Sequence, residues 1–162
     1  MYSNRQLNKS DAETICRFPQ SEEELFYMFP RANYPLTPEQ LIDAAEERKC
    51  LSVVTQEKTI VGYGNFFHAE LGDHCWIGNV IVNPDYRRQG VAAYLVNSLV
   101  DIAFTEFQAK YVRISCFNHN TSGLLLYKKL GFSPVDIEQR QSHDGKVIAV
   151  IYLDLKSNKI RS

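Results

Sequence analysis

No apolar run in this 162-residue sequence approaches the ~20 residues that span a bilayer. The opening stretch MYSNRQLNKSDAE is polar and has no apolar centre of the kind a secretory signal needs. Both absences predict a cytoplasmic protein with no membrane partner. Charge of one sign is missing too: 18 Lys and Arg stand against 19 Asp and Glu, a formal net charge of -1. So weak a long-range field excludes a dominant attraction to nucleic acid, and no nucleic-acid recognition motif is present. Cysteine is sparse and scattered. Cys16, Cys50, Cys75 and Cys116 form no C-x-x-C pair, which argues against a zinc knuckle or a thioredoxin-like redox site and predicts reduced, partly buried thiols. His68, His74, His119 and His143 lack metal-ligand spacing, so no metal is expected. Neither G-x-x-x-x-G-K-[ST] nor G-x-G-x-x-G occurs, which removes the nucleotide P-loop and the dinucleotide fingerprint.

What is present reads as one α/β domain over residues 1–162. Its 44% apolar and 23% charged residues are ordinary for a globular chain, and its length suits a single core. Tyr2 to Leu7 predicts an opening strand. Ser10 with Glu13, Ser21 with Glu24 and Thr37 with Gln40 each have the form of a capping box, with Pro38 at a first helical position. Three short helices are therefore expected between Asp11 and Lys49, broken by the loop FPRANYPL. From Leu51 on, LSVVTQ, TIVGYGNFFHAE and HCWIGNVIV are β-branched and aromatic runs between turns, an antiparallel meander. Gly78 inside the third run predicts a bulge or a close approach of another backbone or a ligand. Val91, Leu95, Leu99, Ile102 and Ala103 recur at helical spacing, predicting a helix from about Gly90 to Gln108. YVRISC then reads as a buried strand. NTSGLLLYKKL follows as a helix capped by Asn120 or Thr121 and ended by Gly131, and two final strands are joined around SHDG.

The chemistry concentrates at NPDYRRQGVAAYL, where a strand becomes a helix. A helix start carries unpaired N–H groups and the positive end of the peptide dipole, so it can hold a phosphate without a charged side chain. Gly90 gives room for close approach, Ala92 and Ala93 keep the first turn open, and Arg87 and Arg88 can add charge-assisted bonds. A plain helix start with two solvated arginines has the same spelling.

Two segments in order, VIVNPDYRRQGVA and NTSGLLLYKKLGF, resemble the GCN5-related N-acetyltransferase (GNAT) superfamily. Arg87, Gly90 and Ala92 fill its coenzyme A signature; Asn120, Gly123, Tyr127, Gly131 and Phe132 fill a second motif. The nearest likeness is to the ribosomal-protein N-terminal acetyltransferase branch. The resemblance implies a mostly antiparallel sheet of six to seven strands, splayed near its centre and flanked by helices. It also implies acetyl-CoA as co-substrate and direct transfer to a primary amine of a small molecule or peptide. The backbone of Val80, Ile81 and Val82 would pair with the pantetheine arm. Arg88, Gln89, Gly90, Val91, Ala92 and Ala93 would hold the pyrophosphate, with Arg87 in the same signature. Asn120 would support the arm, a role compatible with helix capping. Tyr127 would protonate the departing thiolate, the thioester carbonyl being polarised by a backbone N–H near Val82. A core tyrosine is the alternative for Tyr127, and a non-catalytic acyl-CoA sensor or interaction module the alternative for the whole chain. Homodimers are frequent in this superfamily.

The resemblance breaks at the general base: where the nearest branch has a glutamate five residues before the asparagine, this sequence has Ser115. His68, Glu70 and Asp73 are substitutes by proximity to the meander turn. SEEELFYMFPRANYPL is the expected acceptor wall, with Phe26, Tyr27 and Phe29 apolar and Glu22, Glu23 and Glu24 either favouring a helix start or attracting a cationic amine. Cys75 or Cys116 as a covalent carrier is a competing mechanism without an activating histidine pattern.

Overall fold

The computed structural model describes residues 1–158. Seven strands form one sheet in the order β1-β2-β3-β4-β5-β7-β6: β1 Tyr2–Gln6, β2 Lys49–Gln56, β3 Thr59–Glu70, β4 His74–Val82, β5 Tyr111–Phe117, β6 Ser133–Gln141 and β7 Val147–Lys156. Every pairing is antiparallel except β4 with β5. That parallel pair is joined through helix α4, Val91–Thr105, because two parallel neighbours need a crossover that returns over the sheet. Helices α1 Ala12–Ile15, α2 Glu22–Met28 and α3 Pro38–Glu46 precede the meander, and α5 Thr121–Lys129 follows β5. No helix among the described residues is long and apolar enough to cross a membrane.

A small apolar cluster gathers Phe26, Phe117, Val150 and Tyr152, and the two larger ones pack on the sheet. In one, Val91, Leu95, Leu99 and Ala103 of α4 meet Val54, Phe66, Ile77, Val112 and Ile114, and Tyr127 of α5 joins them. In the other, Ala12, Ile15, Leu25, Met28 and Leu41 of the first three helices cover Val53, Tyr63 and Ile81. Adjacent residues such as Val53 and Val54 point to opposite clusters, as a strand buried on both faces requires. Gly62 and Gly64 of β3 let α4 come close: a Cβ there would stand 2.9 Å from Val91 Cγ1 and 3.1 Å from Leu95 Cδ2.

Three expectations shift. The first helix is not capped by Ser10. Asp11 accepts from the Asn8 N–H at 2.8 Å while pairing with Arg5 at 2.7 Å, so the chain turns into a 3₁₀ segment, Lys9–Asp11, upstream of α1. Helix α4 ends at Thr105 rather than Gln108, where the backbone turns to φ 52°. The β4 bulge lies beside Gly78, not on it. Asn65 pairs with Gly78 and Tyr63 with Ile81, so one β3 residue opposes two of β4, and Asn79 takes φ 55°. Gly78 answers to packing instead: a Cβ would sit 3.2 Å from that of Phe67.

Candidate active site

The sheet opens at its centre. Strands β4 and β5 pair from His74–Tyr111 to Ile77–Ile114 and no further, although both continue, to Val82 and Phe117. Beyond Ile77 the β5-facing edge of β4 is therefore unpaired, and backbone groups there need partners. Asn83 N–H bonds back to Val61 O at 2.8 Å, so strand alternation turns the Val82 N–H to the open side. The Asn79 bulge sets this divergence. Its side chain accepts from Asn65 Nδ2 and donates to Met28 O, each at 3.0 Å, tying β4 to β3 and to the end of α2.

Below the opening, the β4–α4 turn has the shape of an anion cradle. Gly90 is the N-cap of α4 with φ 84°, and nothing lies within 4 Å of where its Cβ would be. The first intrahelical bond is Tyr94 N–H to Gly90 O at 3.0 Å, so the N–H groups of Val91, Ala92 and Ala93 precede the helical ladder and face outward. Arg88 takes φ 63°, an unfavourable left-handed conformation for a side-chain-bearing residue. Tyr2 Oη donates to Gln89 O at 2.6 Å and holds the turn from β1.

Arg87 does not join the cradle through its side chain. Its guanidinium makes a two-point pair with Glu24 at 2.8 and 3.0 Å and also donates to Phe18 O and Val82 O. It braces the turn against α2. The same pair explains Glu24: the Arg87 guanidinium holds its carboxyl below the ordinary value, so this glutamate is committed to the scaffold rather than to an amine.

A cavity of about 300 Å³ occupies the splay. Gly78, Asn79, Val80, Ile114 and Ser115 line it from the strands, and Asn120 and Tyr127 from α5. Asn120 caps that helix, accepting from Gly123 N–H at 3.2 Å; Gly123 leaves room for this side chain, since a Cβ would stand 2.7 Å from Asn120 Nδ2. Tyr127 is buried, with its ring edge-on to Phe132, and its hydroxyl makes no hydrogen bond with the described residues. Burial, with a smaller contribution from Cys116, pushes its pKa well above the ordinary phenol value. The ring is buried while the hydroxyl opens to the cavity, and this phenol keeps its proton.

The other expected groups fall differently. Ser115 lines the cavity and accepts from Trp76 Nε1 at 3.0 Å. His68, Glu70 and Asp73 do not line it; they sit at the β3–β4 hairpin, where Asp73 bonds His74 Nδ1 at 2.6 Å. Folding does gather His68, Glu70 and His74 within 4.8 Å despite their spacing, but His68 and Glu70 are exposed and water competes for them. Of the acceptor-wall residues, Tyr27 and Phe29 line the cavity, while Phe26 is stacked on Phe117 at 4.5 Å. Tyr27 is pushed up to about 12 by burial and by Glu23. Cys75 and Cys116 are buried, and burial raises their thiols to about 11 and about 12, which keeps both protonated and poorly nucleophilic. Arg31 falls within the expected acceptor stretch, though only its acidic and aromatic residues were singled out; Arg48, Phe67, Trp76, Arg140 and Tyr152 on the wall were not foreseen. These five come from five separate segments with no common motif.

Solved structures with this fold include the ribosomal-protein-S18-alanine N-acetyltransferase of Escherichia coli, at TM-score 0.75 and 20% identity, covering 96% of this chain and 94% of that one. The ribosomal-protein-alanine N-acetyltransferase of Brucella melitensis matches at 0.74 and 14%, with 96% and 99% covered. The yncA protein of Salmonella typhimurium, solved with acetyl-CoA, matches at 0.75 and 15%, with 96% and 93% covered. No relative among curated proteins is found by sequence. The model of the acetyltransferase (GNAT) family matches residues 13–132, a span that holds the cradle, the splayed strands and the Asn120–Tyr127 helix, and the chain belongs to that family.

Proposed function

We propose that this chain is an N-acetyltransferase that moves an acetyl group from acetyl-CoA, the family's co-substrate, directly to a primary amine in a ternary complex. Residues 1–162 would act as one domain, in the cytoplasm. The observation that carries the reading is the end of β4–β5 pairing at Ile77 and Ile114, with an unbonded Tyr127 phenol on the cavity that results. The residues fit the co-substrate. An extended amide-bearing arm can add to the free edge of β4 at Val80, Ile81 and Val82 as a further strand. The cradle of Arg88, Gln89, Gly90, Val91, Ala92 and Ala93 suits a pyrophosphate, through main-chain N–H groups and the α4 dipole.

Bound acetyl-CoA supplies the activated acetyl thioester. The chain supplies position and proton control. Val82 presents an N–H on the open side, where a developing negative oxygen would be stabilised. Asn120, fixed by its cap bond, borders the arm's path. Tyr127 holds a proton at its Oη for the departing sulfur, and its raised pKa keeps that proton in place at neutral and mildly alkaline pH. Among the described residues, no carboxylate or histidine lines the cavity, so the acceptor's own proton leaves to water. Proximity carries much of the rate. A homodimer would form along β6, the outer strand, on which Val135 and Ile137 are exposed.

The test is release of free thiol from acetyl-CoA across polyamines, amino acids, aminoglycosides and peptides with free N-termini. Tyr127→Phe is expected to lower kcat by roughly 10²-fold, within the range of general acid catalysis, with coenzyme A affinity unchanged. Tight binding of acetyl-CoA with no transfer to any amine would replace this reading with an acyl-CoA-binding module.

A further inference from the structure

The proposed reaction leaves the acceptor open, and the cavity's charge narrows it. Three arginines line the cavity, Arg31, Arg48 and Arg140, and no Asp or Glu does among the described residues. Arg140 is already matched: its guanidinium stands 2.7 Å from Glu138 and donates to Tyr152 Oη at 2.8 Å. Arg31 and Arg48 are not. Neither has a carboxylate within ion-pair distance or makes a side-chain hydrogen bond with the described residues.

Arg48 is the more constrained of the two. Its guanidinium lies over the Phe67 ring, 4.4 Å from the centroid, and its Nε is buried with no partner. Burial foremost, then the nearby Arg31 charge, lowers its affinity for its proton. Water solvates the exposed Arg31, but the Arg48 charge is partly withdrawn from water beside a like charge, which is unfavourable unless an anion completes the set. A guanidinium stacked on an aromatic face still offers its N–H fork to a planar oxyanion. The surrounding wall is apolar and aromatic: Tyr27, Phe29, Phe67 and Trp76, with Phe67 and Trp76 edge to face at 5.5 Å.

We infer that the acceptor is a small primary amine carrying an oxyanion, a carboxylate or a phosphorus acid, on an apolar body, and that Arg48 and Arg31 receive this oxyanion while the amine points toward Tyr127. This rests on the acetyl-transfer reading and selects within it: polyamines and aminoglycosides would bring more positive charge to two uncompensated arginines. The cavity is about 300 Å³ in all and is shared with the acetyl end of the co-substrate, so the space left suits only a small acceptor.

Matched pairs test it: apolar amino acids against their carboxamides, and aminoalkylphosphonates against the corresponding amino alcohols, in the thiol-release assay. Acid forms should exceed their neutral partners in kcat/KM by about tenfold or more, the scale of a charge-assisted contact. Arg48→Gln and, separately, the exposed Arg31→Gln should collapse that ratio, while Arg48→Lys, which keeps the charge, retains part of it. Equal rates for the pairs, a preference for amides or polyamines, or an unchanged ratio in both Gln variants would overturn the inference and leave acetyl transfer standing. Trp76, the single tryptophan, gives a second readout independent of turnover. If no amine is acetylated, the reaction proposal fails, and titration of its fluorescence with N-acetyl amino acids against their amides still decides the anion site. Saturable quenching by the acids alone, lost in Arg48→Gln, supports it; no discrimination overturns it.

Discussion

At Gly123 two effects of similar size oppose each other. A glycine inside an exposed helix costs about 1 kcal/mol relative to alanine, so Gly123→Ala gains that much in helix propensity. The new Cβ would lie 2.7 Å from Asn120 Nδ2, however, and must displace the side chain that caps α5 at 3.2 Å, a loss of about 1 kcal/mol. The melting temperature should hardly move, while coenzyme A affinity falls because Asn120 leaves the arm's path. Calorimetric melting beside a coenzyme A titration checks this, and a variant with native affinity would show that Asn120 serves only as a cap. Asn120 was legible as a helix cap from its residue type, whereas Gly123 and Tyr127 were singled out through the family resemblance. Arg48 was not foreseen, since a cavity gathers its wall from distant segments. Arg87 was read from its motif as a phosphate ligand, and its actual partner, Glu24, lies 63 positions away.

Among the elements, the order of seven strands and five helices over the described residues follows from local periodicity and capping signals, with the start of α1 the exception. The splay was foreseen only through resemblance. Its cause, the bulge, was assigned to Gly78 because glycine is the usual marker of irregular strands. The structure uses Asn79 instead, since asparagine tolerates left-handed φ and can also bond sideways. This predicts an order of stability. Asn79→Ala loses both side-chain bonds and forces alanine to φ 55°; unsatisfied buried groups and left-handed strain together cost about 3 kcal/mol. Asn79→Gly loses the same bonds without the strain and should recover about 1 kcal/mol of that loss. Urea denaturation of both variants measures it. Equal losses would mean that the backbone relaxes out of the left-handed region, and that the bulge belongs to β4 as a whole rather than to this residue.

Over the whole molecule, scattered cysteines predicted reduced, partly buried thiols, and all four are free, Cys16 and Cys50 half-buried and Cys75 and Cys116 fully buried. Their burial gives the protein an alkaline limit. An unfolded thiol ionises near its ordinary value of 9.0, whereas in the fold Cys75 is raised to about 11 and Cys116 to about 12. A raised folded value means that stability is fully present below pH 9 and is lost as pH climbs toward the folded values, because only the unfolded chain releases those protons. A thiol removes about 1.4 kcal/mol per pH unit once well inside its window and about 1 kcal/mol over the first unit above its unfolded value, so the pair should cost roughly 2 kcal/mol between pH 9 and pH 10, a large part of a typical stability of about 5–15 kcal/mol. Urea unfolding at pH 8, 9 and 10 should show little change over the first step and a steep loss over the second. Cys116→Ala leaves a small void and lowers stability at every pH, so the informative quantity is the slope. Removing one of the two most strongly raised thiols should lower it distinctly above pH 9, and an unchanged slope would place the alkaline loss on other groups, Cys50 and Cys16 first, whose thiols burial also raises.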